Sequence, residues 1–145
     1  MEIKELGHVV LYVTNLERVA NFYRDTLGFR EIDWRVGAAV FSSGRTHHEL
    51  LLLEVGGSPE KRQLKPGLYH IGFKVADSHD ELRQVYRELK EKGVTIVGTA
   101  DHTVTHSIYI EDPDGNELEL YADVSDEWRT NSHAVMSPTR RLSLE

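Results

Sequence analysis

Eight histidines and no cysteine make imidazole the conspicuous reactive resource of this 145-residue chain. His8, His70 and Glu119 stand out as a set, because two imidazoles and one carboxylate can hold a divalent metal and leave part of its coordination sphere open. Other side chains could move or place protons beside such a centre. His48, next to His47, carries an imidazole that titrates near neutral pH. Tyr109 can donate a hydrogen bond to a substrate oxygen. Glu49 and Glu117 are carboxylates that either face solvent or buttress the ligands. Cysteine catalysis, thiolate zinc sites and disulfides are all excluded.

The elements that must position these residues form one unit written twice. Residues 7 to 13 are β-branched and aromatic, read as a buried strand, and lead through Thr14-Asn15 to a helix N-cap. Leu16, Val19, Ala20, Phe22, Tyr23 and Leu27 then fall at helical spacing, and Gly28 closes that helix. Strands are expected at Phe29 to Trp34, Ala38 to Phe41 and His48 to Val55, so the first half reads βαβββ. The second half repeats the order. A strand at Tyr69 to Val75 precedes a helix from His79 to Lys92, ended by Gly93. Strands follow at Val94 to Val97, Ser107 to Ile110 and, after the turn Asp112-Pro113-Asp114-Gly115-Asn116, Glu117 to Tyr121.

His8-x4-Val13-x-Asn15 lies over His70-x4-Val75-x-Asp77, a repeat of about 60 residues joined by the stretch from Gly56 to Gly67. Either histidine alone would be an ordinary strand residue, but their equivalence singles them out. Glu119 shares a strand face with Glu117, opposite Leu118 and Leu120, so a carboxylate can join the pair. Strand alternation admits only one of His47 and His48 to that face, and His48 is the one expected. His102 and His106 fall in an irregular stretch, His79 at a helix start and His133 in the tail.

Composition narrows the classes. The expected fold is α+β: two tandem βαβββ modules forming a curved, partly open β-barrel around a metal site. The modules cover about 1–57 and 66–124 of a single domain spanning 1–129, with a tail over 130–145 that either lacks structure or covers a neighbour. Ser125 to Arg129 suggests a short capped helix, with Trp128 closing the cavity or packing on a sheet edge. The net charge of -7, with no cluster of Lys and Arg, argues against nucleic acid. No apolar run is long enough to span a bilayer, and the charged first residues lack a signal-peptide pattern. A cytoplasmic location is expected, and exposed strand edges favour a homodimer.

From residue 6 to 129 the chain resembles the vicinal-oxygen-chelate superfamily of glyoxalases, fosfomycin-resistance proteins and type I extradiol dioxygenases, and within it the catechol 2,3-dioxygenase-like branch. The run His-x5-Ile-Tyr-x2-Asp-Pro-x-Gly-x3-Glu, from His102 to Glu119, is similar to the extradiol signature, from which the chain departs two residues ahead of the run, at Ala100. His47-His48-Glu49-Leu50 is similar to the segment in which that branch places a catalytic histidine, matched best by His48. Gly67-Leu68-Tyr69-His70 and Asp126-Glu127-Trp128-Arg129 also resemble segments of it. Many of these dioxygenases carry an additional pair of modules, whereas these residues account for one pair.

The resemblance implies Fe(II), with Mn(II), Ni(II) or Zn(II) as alternatives, held by His8, His70 and Glu119. It further implies a catechol-like aromatic substrate and O2, His48 as acid and base, Tyr109 as hydrogen-bond donor and His102 as the residue orienting a deprotonated oxygen. A glyoxalase-type isomerase, lyase or thiol transferase is the alternative within the superfamily. That alternative would need a fourth ligand, a carboxylate or Gln in the last strand of module one, where Glu49 is the only candidate near and its register against Glu119 is poor. A metal-free drug-binding protein is the alternative outside enzymes.

Overall fold

The computed structural model describes residues 1–59 and 66–145 and divides into two compact units. Unit 1 comprises Met1–Arg62 with Pro113–Gly115, and unit 2 comprises Gln63–Asp112 with Asn116–Glu145. The joint expected between Gly56 and Gly67 lies partly outside the described residues.

Unit 1 holds β1 (Val9–Val13), α1 (Leu16–Asn21), β2 (Arg30–Arg35), β3 (Ala38–Ser42) and β4 (Leu50–Glu54), in one open sheet of order β1-β4-β3-β2. The Asn15 side chain caps α1 by accepting from Arg18 N at 2.8 Å, and Glu54 of β4 accepts from Leu16 N at 2.6 Å, so two orphan donors of the first turn are satisfied. The helix is shorter than its apolar spacing predicts. It passes at Phe22 into a π turn, Phe22–Thr26, and Gly28 then takes a positive φ. Leu16, Val19, Ala20 and Tyr23 are buried, as are Leu11, Val13, Phe41, Leu50 and Leu52 on the sheet, and α1 packs against β3 and β4. Asp114, which clusters with this unit, accepts from Thr14 N and Thr14 Oγ1, both at 2.7 Å, and pairs with Arg18.

Unit 2 repeats the plan with β5 (His70–Ala76), α2 (His79–Glu91), β6 (Ile96–Asp101), β7 (Thr105–Glu111) and β8 (Glu117–Asp123), ordered β5-β8-β7-β6. Ser78 caps α2 through Glu81 N, and Glu81 reaches back to Asp77 N at 2.8 Å, a reciprocal closure of the first turn. Leu82 and Leu89 bury the helix face against Ile108, Ile110, Leu118 and Leu120. Strands β6, β7 and β8 run further than expected, because Thr105, His106 and Asp123 keep the antiparallel ladder going where composition alone reads as loop.

Within each sheet the first and last strands of the module pair in an equivalent register. Val9 opposes Leu50 as Ile71 opposes Leu118, so the repeat sets Glu49 against Glu117 and Leu51 against Glu119. The alignment of His8 with His70 therefore extends through the sheet. Neither sheet closes on itself.

The tail is ordered and belongs to unit 2. After short 3-10 turns at Glu127–Arg129 and Ser132–Met136, Arg140 pairs with Asp101 through backbone bonds of 3.0 and 2.9 Å, and Leu142 O accepts from Thr99 Oγ1 at 2.9 Å. Leu142 and Leu144 are buried, so the tail both covers the β6 edge and extends the core. Trp128 stays partly exposed under the Arg129 guanidinium, 4.5 Å from its ring. Among the described residues no helix is long and apolar enough to cross a membrane.

Candidate functional site

Strand alternation in unit 2 puts Ser107 and Tyr109 of β7 on the same face as Glu117 and Glu119 of β8, with Tyr109 paired directly across from Glu119. Glu119 is the hub of this face. Its Oε1 accepts from Ser107 Oγ at 2.6 Å and from Tyr109 Oη at 3.1 Å, and its Oε2 lies 3.1 Å from His70 Nε2. His70, at the start of β5, thus meets the carboxylate with which it is expected to share a metal.

His102 joins the same group from the turn between β6 and β7. Its Nε2 is 2.8 Å from Tyr109 Oη and its Nδ1 is 3.2 Å from Thr139 Oγ1 of the tail. The direction of these bonds follows from chemistry. An ionised Glu119 only accepts, so Tyr109 donates to it, His102 Nε2–H donates to Tyr109 Oη, and His102 Nδ1 accepts from the Thr139 hydroxyl. Burial first, and then the charge and hydrogen bond of Glu119, push the Tyr109 phenol far above its ordinary pKa, so the proton needed for this line is retained at neutral pH.

The third expected ligand, His8, belongs to unit 1, where it lies just ahead of β1. Arg45 anchors the approach to it, donating to Leu6 O at 3.3 Å and Gly7 O at 3.0 Å and pairing with Glu5. The His8 ring lies 4.4 Å from that of His48 and 6.3 Å from that of His47, centroid to centroid. His47 and His48 precede β4 instead of opening it, so they escape strand alternation, and their Nδ1 atoms meet at 2.5 Å. Burial, reinforced by the charges of His8 and His47, lowers the His48 pKa, which keeps this imidazole neutral and able to accept a proton near pH 7.

Glu49 does not turn toward His8. Its carboxylate accepts from Ser43 N at 2.9 Å and Ser43 Oγ at 2.7 Å and lies 3.5 Å from Arg45, closing the loop before β4. Glu117, its equivalent in the repeat, faces His70 instead, with Oε1 3.5 Å from Nδ1. Of the two roles open to these carboxylates, neither takes the solvent-facing one.

Among the described residues no group of three or more His, Asp or Glu side chains gathers its donors as a metal centre. The pair in unit 2 nevertheless fits one. Two ligands about 2.1 Å from a metal and at right angles to each other lie about 3 Å apart, and His70 Nε2 and Glu119 Oε2 have that separation.

Ser107 and Thr139 are residues of this site that the sequence does not single out. Ser107 is within reach of sequence reasoning, two places before Tyr109 on a strand, while Thr139 sits in a tail without periodicity. A separate group lies around His106, whose Nδ1 is 2.9 Å from His79 Nδ1 and whose Nε2 is 3.7 Å from Asp101 Oδ1. His79, expected at an exposed helix start, is therefore packed against β7.

Residues 5–120 match the Glyoxalase/Bleomycin resistance protein/Dioxygenase superfamily. The chain belongs to this superfamily. Biphenyl-2,3-diol 1,2-dioxygenase 3 of Rhodococcus globerulus is 32% identical to it over 120 residues, covering 81% of this chain and 63% of that protein. Catechol-2,3-dioxygenase of Bacillus subtilis is 34% identical over 126 residues, covering 84% of this chain and 42% of that one. The chain therefore spans less than two thirds of the length of either dioxygenase. Metallothiol transferase FosB of Staphylococcus haemolyticus is 32% identical over 121 residues, covering 82% of this chain and 84% of the transferase. The superfamily fold also appears in a solved glyoxalase/dioxygenase structure from Nostoc punctiforme, with a TM-score of 0.68 at 18% identity over 84% of this chain and 92% of that one.

Proposed function

We propose that this chain is a metal-dependent extradiol dioxygenase that opens a catechol-like ring with O2. In this reading His8, His70 and Glu119 hold the metal, and His48, Tyr109 and His102 handle protons and orient the substrate. The observation that carries it is the hydrogen-bonded line from Thr139 through His102 and Tyr109 to Glu119. Such a line presents neutral donors next to a carboxylate ligand, where a ring oxygen that has lost its proton needs stabilisation.

Bound by these residues, Fe(II) would supply Lewis acidity toward two neighbouring ring oxygens and a route for electrons to O2; Mn(II), Ni(II) and Zn(II) are the other candidate metals, of which Zn(II) would supply Lewis acidity alone. The chain's own groups do the remaining work. Tyr109, held protonated by burial, gives its hydrogen bond to the incoming oxygen, and His102 supports Tyr109 from behind. His48, neutral near pH 7, takes a proton from one ring hydroxyl as general base and returns it later as acid. Both atoms of O2 enter the ring-opened product, so no external reductant is needed.

For the isomerase, lyase or thiol transferase alternative, the register offers no fourth carboxylate or Gln: the position equivalent to Glu119 in module one is Leu51. Thiol transfer is the second reading, favoured by the nearly equal coverage of this chain and FosB.

Anaerobic loading with Fe(II), then a panel of catechols, then oxygen tests the proposal. A yellow ring-opened chromophore should form with one O2 consumed per ring. No oxygen uptake across the panel, together with metal-stimulated transfer of a small thiol to an electrophile, would replace the leading reading with the second.

A further inference from the structure

The His70 ring is set between two carboxylates of β8. Glu119 Oε2 stands 3.1 Å from Nε2, and Glu117 Oε1 stands 3.5 Å from Nδ1 on the other side of the ring. The parallel register places Glu117 opposite His70 and Glu119 opposite Gly72, two residues on, so both carboxylates bracket one imidazole from a single strand. His70 Nδ1 is buried and makes no hydrogen bond at this separation, and the Glu117 side chain is only 10% exposed. A buried ring nitrogen facing a buried carboxylate, a few tenths of an ångström beyond bonding distance, satisfies its proton by closing that gap.

The repeat provides the contrast. Glu49 occupies the position of Glu117 in module one, yet its oxygens are bound by Ser43 and Arg45 in the loop before β4. The same carboxylate at the same register position is thus committed to a turn in one module and aimed at a histidine in the other.

We propose that Glu117 is the positioning residue of His70: it accepts the Nδ1–H and so leaves the Nε2 lone pair for the position where a metal shared with Glu119 would sit. The consequence rests on the metal-ligand role proposed above for His70. A carboxylate behind a ligating imidazole fixes its tautomer, orients the ring and raises its basicity, and loss of such a partner costs about 10- to 100-fold in metal affinity.

The test reads both the ring and the metal. In Zn(II)-loaded full-length protein, nitrogen-15 NMR of the His70 ring should find a slowly exchanging proton on Nδ1. Glu117→Leu should make that proton exchange faster with water. In a chelator competition with Zn(II), Glu117→Leu should weaken binding by about 10- to 100-fold, and Glu117→Gln, which keeps an acceptor oxygen, should recover most of the loss. Circular dichroism checks that each variant folds, and the wild-type Nδ1 proton decides between the outcomes if Glu117→Leu does not. Zn(II) held through Nδ1 in the wild type, or an Nδ1 proton whose exchange is unchanged by Glu117→Leu, overturns the proposal. Wild-type protein that binds no Zn(II) would instead sink the metal reading, and with it this proposal.

Discussion

His102 and Tyr109, seven positions apart and joined by a 2.8 Å hydrogen bond from ring Nε2 to phenol oxygen, connect the β6–β7 turn to the carboxylate at the centre of unit 2. Tyr109→Phe removes the hydroxyl and leaves the ring, so the sheet should keep its stability while the donor is lost. Turnover with a catechol should fall about 100-fold, the scale of losing one preorganised donor, with metal content unchanged. Metal analysis beside steady-state kinetics checks this. A fall in metal content equal to the fall in kcat would mean that Tyr109 serves to place Glu119 and not the substrate.

Glu119 and His48 should separate cleanly by phenotype. Glu119→Ala removes an expected metal ligand, along with the acceptor for Ser107 and Tyr109, and should abolish metal binding in a dialysis assay. His48→Gln should keep the metal and lose turnover by about 100- to 10,000-fold, the range for a general acid–base group. Equal metal loss in both variants would show that His48 belongs among the ligands.

The contrast between these residues also shows what can be read from the chain. The repeat of His8 and His70, and the alternation that puts Glu119 and Tyr109 on one face, are local patterns with a period, and the sheet registers preserve them. Sequence pattern assigns His48 to a strand because the apolar run beginning at Leu50 invites an early start. The structure instead ends the ladder at Leu50, where Glu49 turns back to Ser43. Contacts such as His79 with His106, or Thr139 with His102, join residues 27 and 37 positions apart with no shared period, so no window of sequence announces them.

Thr139 supplies the next test. Its hydroxyl donates to His102 Nδ1 at 3.2 Å, which fixes the tautomer that leaves Nε2–H for Tyr109. Thr139→Val keeps the side-chain shape and removes the hydroxyl. It should lower kcat by about 10-fold, the equivalent of one modest hydrogen bond, while changing KM and metal content little. Thr139→Ser should restore the rate; failure to do so would point to packing of the tail as the cause.

The tail's apolar residues predict a stability effect independent of the site. Leu144 is 3% exposed, next to a backbone pairing between Arg140 and Asp101 that covers the β6 edge. Leu144→Ala should cost about 2 to 3 kcal/mol, toward the lower end for a buried leucine because a residue near the terminus can relax into the gap. Urea denaturation followed by fluorescence measures it. An unchanged midpoint would mean that the tail contributes nothing to the core.

His106 predicts how stability varies with pH. Burial lowers its pKa, the Asp101 charge opposes that shift, and the nearby His79 adds to it, so the folded value lies below the ordinary imidazole value of about 6.5. Between those two values the unfolded chain binds a proton that the folded protein resists. The His106 contribution is therefore fully present above about pH 6.5 and is lost as the pH falls through that value toward the folded pKa, where the slope ends. Urea midpoints at closely spaced pH values from about 7.5 down to about 5 should decline in the wild type, and His106→Gln should decline less because it takes up no proton at this position. If the variant loses stability as steeply as the wild type, the acid sensitivity belongs to the other histidines, and the contact between His106 and His79 is neutral in this respect.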